Sequence, residues 1–374
     1  MRRKLIGLIC VVVVGVTLSL GLWPFQRPSN SVAWITPGHG LVFGKYGTVF
    51  SASPPAASAG NATGGSIEVW ALPGRRDSST IVSLYRPDQG VLVRLRQSLT
   101  DLEIVAQQSG PSGAAKFFYV DEAFRHAMAE KRPVLITLTA GDRGTAVYAD
   151  GAPLKIVPNF HISPNAFEGR IILGDSPREP DSFHGTIRGL SLYVSELSAE
   201  SVSRHSQDWI RSGRPNDPDA RPLALYLFEE GAGHVVHNHA GPMGDLVIPD
   251  RYGVIDKVAL EPFWREFDFS RGYWSGNVKN IVGFVPLGFC FYAYFFVRRH
   301  KRALLVTLAC GFLVSLTIEV LQAALPSRDS GTTDLITNTL GTWCGVLCYR
   351  HVYLPLVKKF AAFGWLAPDQ GTLV

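Results

Sequence analysis

Cysteine, methionine and concentrated charge are scarce in this chain. Its 374 residues include five cysteines and three methionines, and only 18% are Asp, Glu, Lys or Arg. The formal charge of +5 comes without a dense Lys/Arg tract, so the electrostatic footprint of a nucleic-acid-binding protein is missing. All five cysteines (Cys10, Cys290, Cys310, Cys344 and Cys348) fall in apolar runs near the two ends, and the long middle region has none. If exported, that region has to be held by its own hydrophobic core, without disulfides. Cys344 and Cys348 share a helix face; without His or acid partners they read as packing residues rather than metal ligands.

The apolar residues concentrate at the ends. Arg2, Arg3 and Lys4 precede an apolar run from Leu5 to Trp23, long enough at 1.5 Å per residue to cross a bilayer. A cleaved signal peptide is the competing reading, but the run is long and no A-x-A-like site follows it, which favours a retained anchor. Three further spans are expected over Ile281–Val297, Ala303–Leu325 and Leu335–Val357. With four spans, the basic clusters at residues 2–4, 298–302 and 358–359 fall on one side, which the positive-inside rule makes cytoplasmic. Residues 25–279 and the loop "PSRDSGTTD" then face outward, and both termini stay inside.

Between residues 30 and 265 the pattern changes to short alternating runs broken by Gly, Pro, Asp and Ser. "SIEVWAL", "TIVSLY", "VLVRLRQ", "LEIVAQQ", "PVLITLTA", "TAVYADG" and "GTIRGLSLYV" each predict a strand. In "VLVRLRQ" the Val91, Val93, Leu95 face is expected inside, with Arg94 and Arg96 outside. Helix is expected only near Asp121–Lys131 and in "SELSAESVSRHSQDWI", whose serine- and glutamate-rich start suits a cap. Many short strands separated by turns imply an antiparallel β-sandwich or jelly roll. Asp101, Asp142, Asp150 and Asp175 are candidate carboxylates, but Asp150-Gly151 is most simply a type I′ hairpin turn. His234, His237 and His239 lie in a Gly-rich turn without an evident fourth metal ligand. Asn61-Ala62-Thr63 is a formal glycosylation sequon, given little weight because the architecture looks bacterial.

"AVYADGAPL", followed by "GRIILGDSPREPDSFHGTIRGLSLYVSELSAESV", resembles the concanavalin-like laminin-G family, and "ALYLFEEGAGHVVHNHAG" resembles that family's F-E-G-x-G strand and turn. Where the family usually has Trp and His before the "PVLITLT" strand, this chain has Lys131, Arg132 and Pro133. The resemblance implies an exported laminin G/concanavalin-like sandwich over 30–265. It further implies a rim that binds sugar or calcium, with Asp150 and Asp175 as candidate ligands.

The last third places ionisable residues among apolar runs. Ser315, Glu319 and Gln322 are spaced i, i+4, i+7 on one helix face; Asp334 and Asn338 are spaced i, i+4 on another, continued by Gly341 and Gly345. That G-x-x-x-G lets a second helix approach closely. Arg328 sits in the loop between, so a helical hairpin gathers Glu319, Gln322, Arg328, Asp334 and Asn338 near the outer interface. An ionisable group inside a span costs several kcal/mol unless paired or hydrated. Either the cluster is structural, with Arg328 neutralising Glu319 or Asp334, or it lines a wet site for an amphipathic or lipid-linked molecule.

In order and spacing, "NIVGFVPLGF" (with Asn280), "SLTIEVLQ" and "SRDSGTTDLITNTLG" resemble the VanZ-like membrane family. The expected architecture is therefore multidomain α + β. An anchor (1–24) precedes the inserted sandwich, a VanZ-like bundle of three spans (278–358) follows it, and a cytoplasmic tail (359–374) ends the chain. The resemblance implies a multi-pass protein of the bacterial inner membrane, linked to low-level resistance to the glycopeptide teicoplanin. Three readings stay open: recognition of a glycan or envelope component by the exported domain, an enzyme or carrier acting on a lipid-linked precursor through Glu319 and Asp334, or a structural, protein-interaction role.

Overall fold

Each alternating run quoted above forms a strand in the computed structural model, which describes residues 2–52, 64–107, 115–217, 220–241, 243–267 and 271–362. The sequon at Asn61 and the end of the tail, 363–374, lie outside the described residues. The chain divides into two compact units, Arg27–Lys257 and Met1–Gln26 with Val258–Val374.

The first unit is a β-sandwich. Its strands in chain order are β1 (Val32–Trp34), β2 (Leu41–Phe43), β3 (Val49–Ser51), β4 (Gly65–Pro73), β5 (Ser78–Arg86), β6 (Gly90–Ser98), β7 (Asp101–Gln107) and β8 (Ala115–Val120). There follow β9 (Val134–Gly141), β10 (Gly144–Ala149), β11 (Ala152–Val157), β12 (Arg170–Leu173), β13 (Gly185–Tyr193), β14 (Ala224–Tyr226), β15 (Val235–Val236) and β16 (Leu246–Val247). They form two antiparallel sheets of eight strands. One runs β1-β2-β13-β4-β9-β10-β11 with β14 beside β13, and the other runs β15-β16-β3-β12-β5-β6-β7-β8. Ile67, Val69, Ile136, Leu138 and Ile187 of the first sheet share one core with Val82, Leu84, Val93, Leu95 and Ile104 of the second. The β10–β11 connection is the tight turn expected of Asp-Gly, with φ of 48° at Asp150 and 83° at Gly151.

One inward assignment in β6 needs correction. A register shift in the β5–β6 pairing, between Leu84 and Tyr85, breaks the strict alternation. Leu92 is therefore buried beside Val93 and Leu95, while Val91 is only half-buried.

Two helices accompany the sandwich. Short α2 (Arg125–Glu130) falls inside the stretch expected to be helical. Helix α3 (Ala199–Ser212) starts at Ser198, whose Oγ accepts a hydrogen bond from the Ser201 amide at 3.1 Å, and ends on left-handed Gly213. It covers the outer face of the first sheet. Trp209 lies against Gly189, where any side chain would run into its ring, and this is why β4 and β13 are buried on both faces.

The second unit is helical: α1 (Arg2–Leu22), short α4 (Phe263–Glu266), α5 (Arg271–Val297), α6 (Ala303–Gln322), α7 (Thr332–Leu347) and α8 (Leu354–Ala362). Three of these, over Lys4–Leu22, Gly272–Val297 and Ala303–Gln322, are long and apolar enough to cross a membrane. Helix α5 begins ten residues before the apolar run at Ile281, because its first turns are polar and hydropathy cannot register them. The fourth expected span, Leu335–Val357, is helical throughout but is not one regular α-helix. Helix α7 has 16 residues, about 24 Å at 1.5 Å per residue, short of a ~30 Å hydrocarbon core. The chain then continues through a π-helical turn, Cys348–Tyr353, into α8.

The G-x-x-x-G face meets α5. Side chains at Gly341 or Gly345 would run into the carbonyl oxygens of Ile281 or Val285, and one at Gly288 into that of Thr342. Helix α1 packs through Val13, Val14, Leu18 and Leu22 on Phe284, Leu287 and Ile318. All five cysteines are free thiols, with the Cys10 Sγ donating to the Cys290 carbonyl at 3.4 Å.

Candidate functional site

In the helical unit, the i, i+4, i+7 face of α6 is buried as its spacing predicts, with Glu319 only 1% exposed. Its three polar side chains then part company. Ser315 Oγ accepts from Asn338 Nδ2 of α7 at 2.9 Å. Glu319 Oε2 accepts from the Gly331 amide at 3.0 Å, and its carbonyl accepts from Ser330 Oγ at 2.8 Å. Gln322 turns away from the hairpin and donates through Nε2 to the Gly21 carbonyl of α1 at 2.7 Å. Asp334 Oδ1 accepts from Asn280 Nδ2 of α5 at 2.7 Å. The charge of Arg328 acts on both Glu319 and Asp334. The hairpin therefore brings Glu319, Arg328, Asp334 and Asn338 together, adds Asn280 from α5, and sends Gln322 to α1.

A strap that the sequence did not reveal completes this cluster. Residues 260–266 run beside the α6–α7 loop: Glu261 N donates to the Ser330 carbonyl at 2.9 Å, and Thr332 N to the Glu261 carbonyl at 2.8 Å. Thr333 N donates to Glu266 Oε2 at 2.9 Å, and that carboxylate occupies the space where any side chain at Gly331 would lie. Three amides at the start of α7, those of Gly331, Thr332 and Thr333, thus meet Glu319, the Glu261 carbonyl and Glu266. A helix start leaves its first amides without internal partners and favours negative charge, so two carboxylates stabilise this end. Asn338 Oδ1 and Thr333 Oγ1 are buried without a hydrogen-bond partner among the described residues.

In the sandwich, the two carboxylates nominated for calcium lie apart and do not fit it. Asp150 Oδ1 accepts from the Leu135 amide and Oδ2 from Arg132, each at 2.9 Å. Asp175 follows β12 in the other sheet and is buried. Its Oδ1 accepts from the amides of Ser176 at 2.9 Å and Asp181 at 2.7 Å. Its Oδ2 and the buried Tyr252 hydroxyl sit together outside hydrogen-bond geometry. Burial pushes the Asp175 carboxyl up to about 7. Asp101 is likewise engaged, accepting from the Glu122 amide at 2.7 Å. His237 Nδ1 lies 3.0 Å from Asp245 and His234 Nδ1 3.5 Å from Asp250, and no group of three metal-binding side chains forms among the described residues.

In the sandwich, two features escaped the sequence. The first is a buried network under α3, where Glu68 of β4 receives Ser191 Oγ at 2.7 Å, Trp209 Nε1 at 3.2 Å and Tyr193 OH at 3.3 Å. His205 Nδ1 lies 2.9 Å from Glu68, and its Nε2 lies 3.4 Å from Asp217. Burial disfavours the imidazolium, but the two carboxylates outweigh it and raise the His205 pKa. His205 and Trp209 at i, i+4 in a predicted helix were the available signal. The second is the outer face of the second sheet, where Phe117 and Tyr119 of β8 stand 62% and 40% exposed. Their rings meet edge to face at 5.8 Å, two strands from Arg94 and Arg96 of β6.

Residues 237–355 match the VanZ/LLP1 family model. No curated protein matches the chain in sequence. Among solved structures, a Bacteroides ovatus protein named as carbohydrate-binding is 12% identical, with a TM-score of 0.37 over 62% of this chain and 63% of that one. The heptameric SAP-like pentraxin from Limulus polyphemus is 15% identical, with a TM-score of 0.35 over 61% of this chain and 94% of that one. Botulinum neurotoxin type C, whose cell entry depends on two ganglioside molecules, is 10% identical, with a TM-score of 0.34 over 48% of this chain and 45% of that one. The chain thus spans under two thirds of the Bacteroides protein and under half of the neurotoxin chain.

Proposed function

We propose that this chain is a multi-pass protein of the bacterial inner membrane whose sandwich recognises a glycan or another envelope component outside the cell. The observation that carries the reading is the outer face of the second sheet. There, exposed aromatic rings share a face with arginines two strands away, the side-chain chemistry that suits an apolar sugar face and its polar substituents. The VanZ/LLP1 match over 237–355 and the three apolar helices support the membrane assignment. The basic clusters at 2–4, 298–302 and 358–359 support a fourth crossing through α7 and α8, with both termini inside. The VanZ resemblance extends the reading to envelope-directed glycopeptides of the teicoplanin type.

The test is a glycan array probed with the full chain in nanodiscs, with and without calcium. Retention of a defined glycan set is expected, and retention of none removes the reading. A reporter fused after residue 300 is expected to give a cytoplasmic signal; an exported signal overturns the topology.

A second reading makes the cluster around Glu319 and Asp334 the place where a lipid-linked envelope precursor is held or transformed. The unmet Asn338 Oδ1 favours it, because a polar headgroup would satisfy it. Glu319→Gln and Asp334→Asn variants that fold, yet leave sensitivity to envelope antibiotics unchanged, reduce the cluster to a structural role.

A further inference from the structure

Strands β6, β7 and β8 are consecutive in the second sheet, and their register sets two rows across its outer face. Arg94, Val105 and Phe117 form one row; Arg96, Glu103 and Tyr119 form the next. Neighbouring strands lie about 4.8 Å apart, so the backbones at Arg94 and Phe117 are separated by about 10 Å, with half-buried Val105 as the floor between them. That span matches one pyranose ring and a substituent.

The two rows differ in how their polar groups are engaged. In the second, Arg96 Nε donates to Asp181 Oδ2 at 2.8 Å and NH1 to Glu103 Oε2 at 3.3 Å, while the Tyr119 hydroxyl donates to Glu103 Oε1 at 3.3 Å. This row is closed. In the first, Arg94 NH1 lies 3.7 Å from Glu179, a loop carboxylate that is 65% exposed, and Arg94 Nε is buried without a hydrogen-bond partner among the described residues. Glu179 is mostly solvated and an ion pair at that distance contributes little, so a competing carboxylate meets little opposition.

We propose that the Arg94–Val105–Phe117 row binds an acidic pyranose. The apolar face of the sugar ring lies against Phe117, its body crosses Val105, and its carboxylate replaces Glu179 on the planar guanidinium of Arg94. This rests on the reading of the sandwich as the recognition domain and assigns that domain a ligand class. The shared chemistry is a pyranose bearing a carboxylate. A uronic-acid polysaccharide supplies it, and so do muramic-acid units of the cell wall from which the stem peptide has been removed.

Calorimetry on the full chain in nanodiscs tests this with tetragalacturonate, its methyl ester, and N-acetylglucosaminyl-N-acetylmuramic acid. Tetragalacturonate or the muramyl disaccharide is expected to bind, whichever binds tighter identifying the source, and the ester to bind at least about ten-fold more weakly than the free acid. Arg94→Gln and Phe117→Ala are each expected to weaken binding about ten-fold. Glu179→Gln is expected to tighten it, and it reports on the site even if Arg94→Gln does not fold. Ile156→Ala, on the edge strand of the other sheet, is expected to change nothing. Equal binding of acid and ester, or full affinity in folded Arg94→Gln, overturns the site while leaving glycan recognition standing. Failure of every oligosaccharide on the array and in the calorimeter removes both.

Discussion

Glu68 in the sandwich and Glu319 in the helical unit are buried in opposite ways. In the sandwich, Glu68 is enclosed by side chains alone, Ser191, Tyr193, His205 and Trp209, drawn from β13 and α3. Its neighbours' backbone groups are committed to the sheet ladder, so none is free to reach it. In the helical unit, Glu319 is met by a backbone amide, because the first amides of α7 have no partners inside the helix. A buried acid is therefore satisfied by whatever the surrounding secondary structure leaves unpaired. A sheet centre leaves only side chains, whereas a helix start offers main chain.

The comparison can be broken most severely at the close contact between α5 and α7. Gly345→Leu puts a branched side chain against the Val285 carbonyl and is expected to cost more than about 3 kcal/mol, read as loss of folded protein in a thermal-shift assay in detergent. On the sandwich side, His205→Leu leaves Glu68 without its cationic partner and is expected to cost roughly 3 kcal/mol or more near pH 6. The His205 pKa is raised in the fold, so this stabilisation is complete below the unfolded imidazole value and is lost as pH rises through the folded one. The gap between wild type and variant therefore narrows at alkaline pH; a gap that widens contradicts the assigned charge.

The smallest effect has the opposite sign. Burial raises Asp175 to about 7, so ionising it disfavours the fold increasingly from the unfolded carboxyl value up to neutrality. Asp175→Asn keeps an acceptor for the Ser176 and Asp181 amides. It is expected to gain on the order of 1 kcal/mol at pH 8 and nothing at pH 3.5, measured as denaturation midpoints.

The strands of seven or more residues and six-residue β10 were legible because alternation over that length admits few other readings; β8 and β11, of six residues each, were not anticipated, and β1, β2, β3, β14, β15 and β16 have two or three residues each and show no period. Asp150-Gly151 was legible as a turn because both residues need positive φ. Glu68 was not legible: alternation marks it as solvent-facing, and only α3, arriving from 137 positions away, buries it against His205. In the helical unit, helix-face spacing grouped Ser315 with Glu319, and the two glycines anticipated a close helix contact. Spacing within one helix cannot say which neighbour each residue meets, so neither the turn of Gln322 towards α1 nor the Glu266 strap could be read in advance.

The bond from Gln322 to the Gly21 carbonyl joins groups 301 positions apart in the chain. Gly21 lies in the last turn of α1, where carbonyls lack partners within the helix, so Gln322 acts as a C-terminal cap supplied by a distant part of the chain. At roughly 5–20 residues per second of synthesis, the cap emerges some 15–60 s after the helix it completes. During that interval the whole sandwich is made, and α1 has to persist by itself. Its composition suits the delay, since it is the most apolar of the three long helices and the least dependent on neighbours for burial. The order of synthesis thus divides the labour. The first helix holds its place by composition, and the last third of the chain completes it when it arrives.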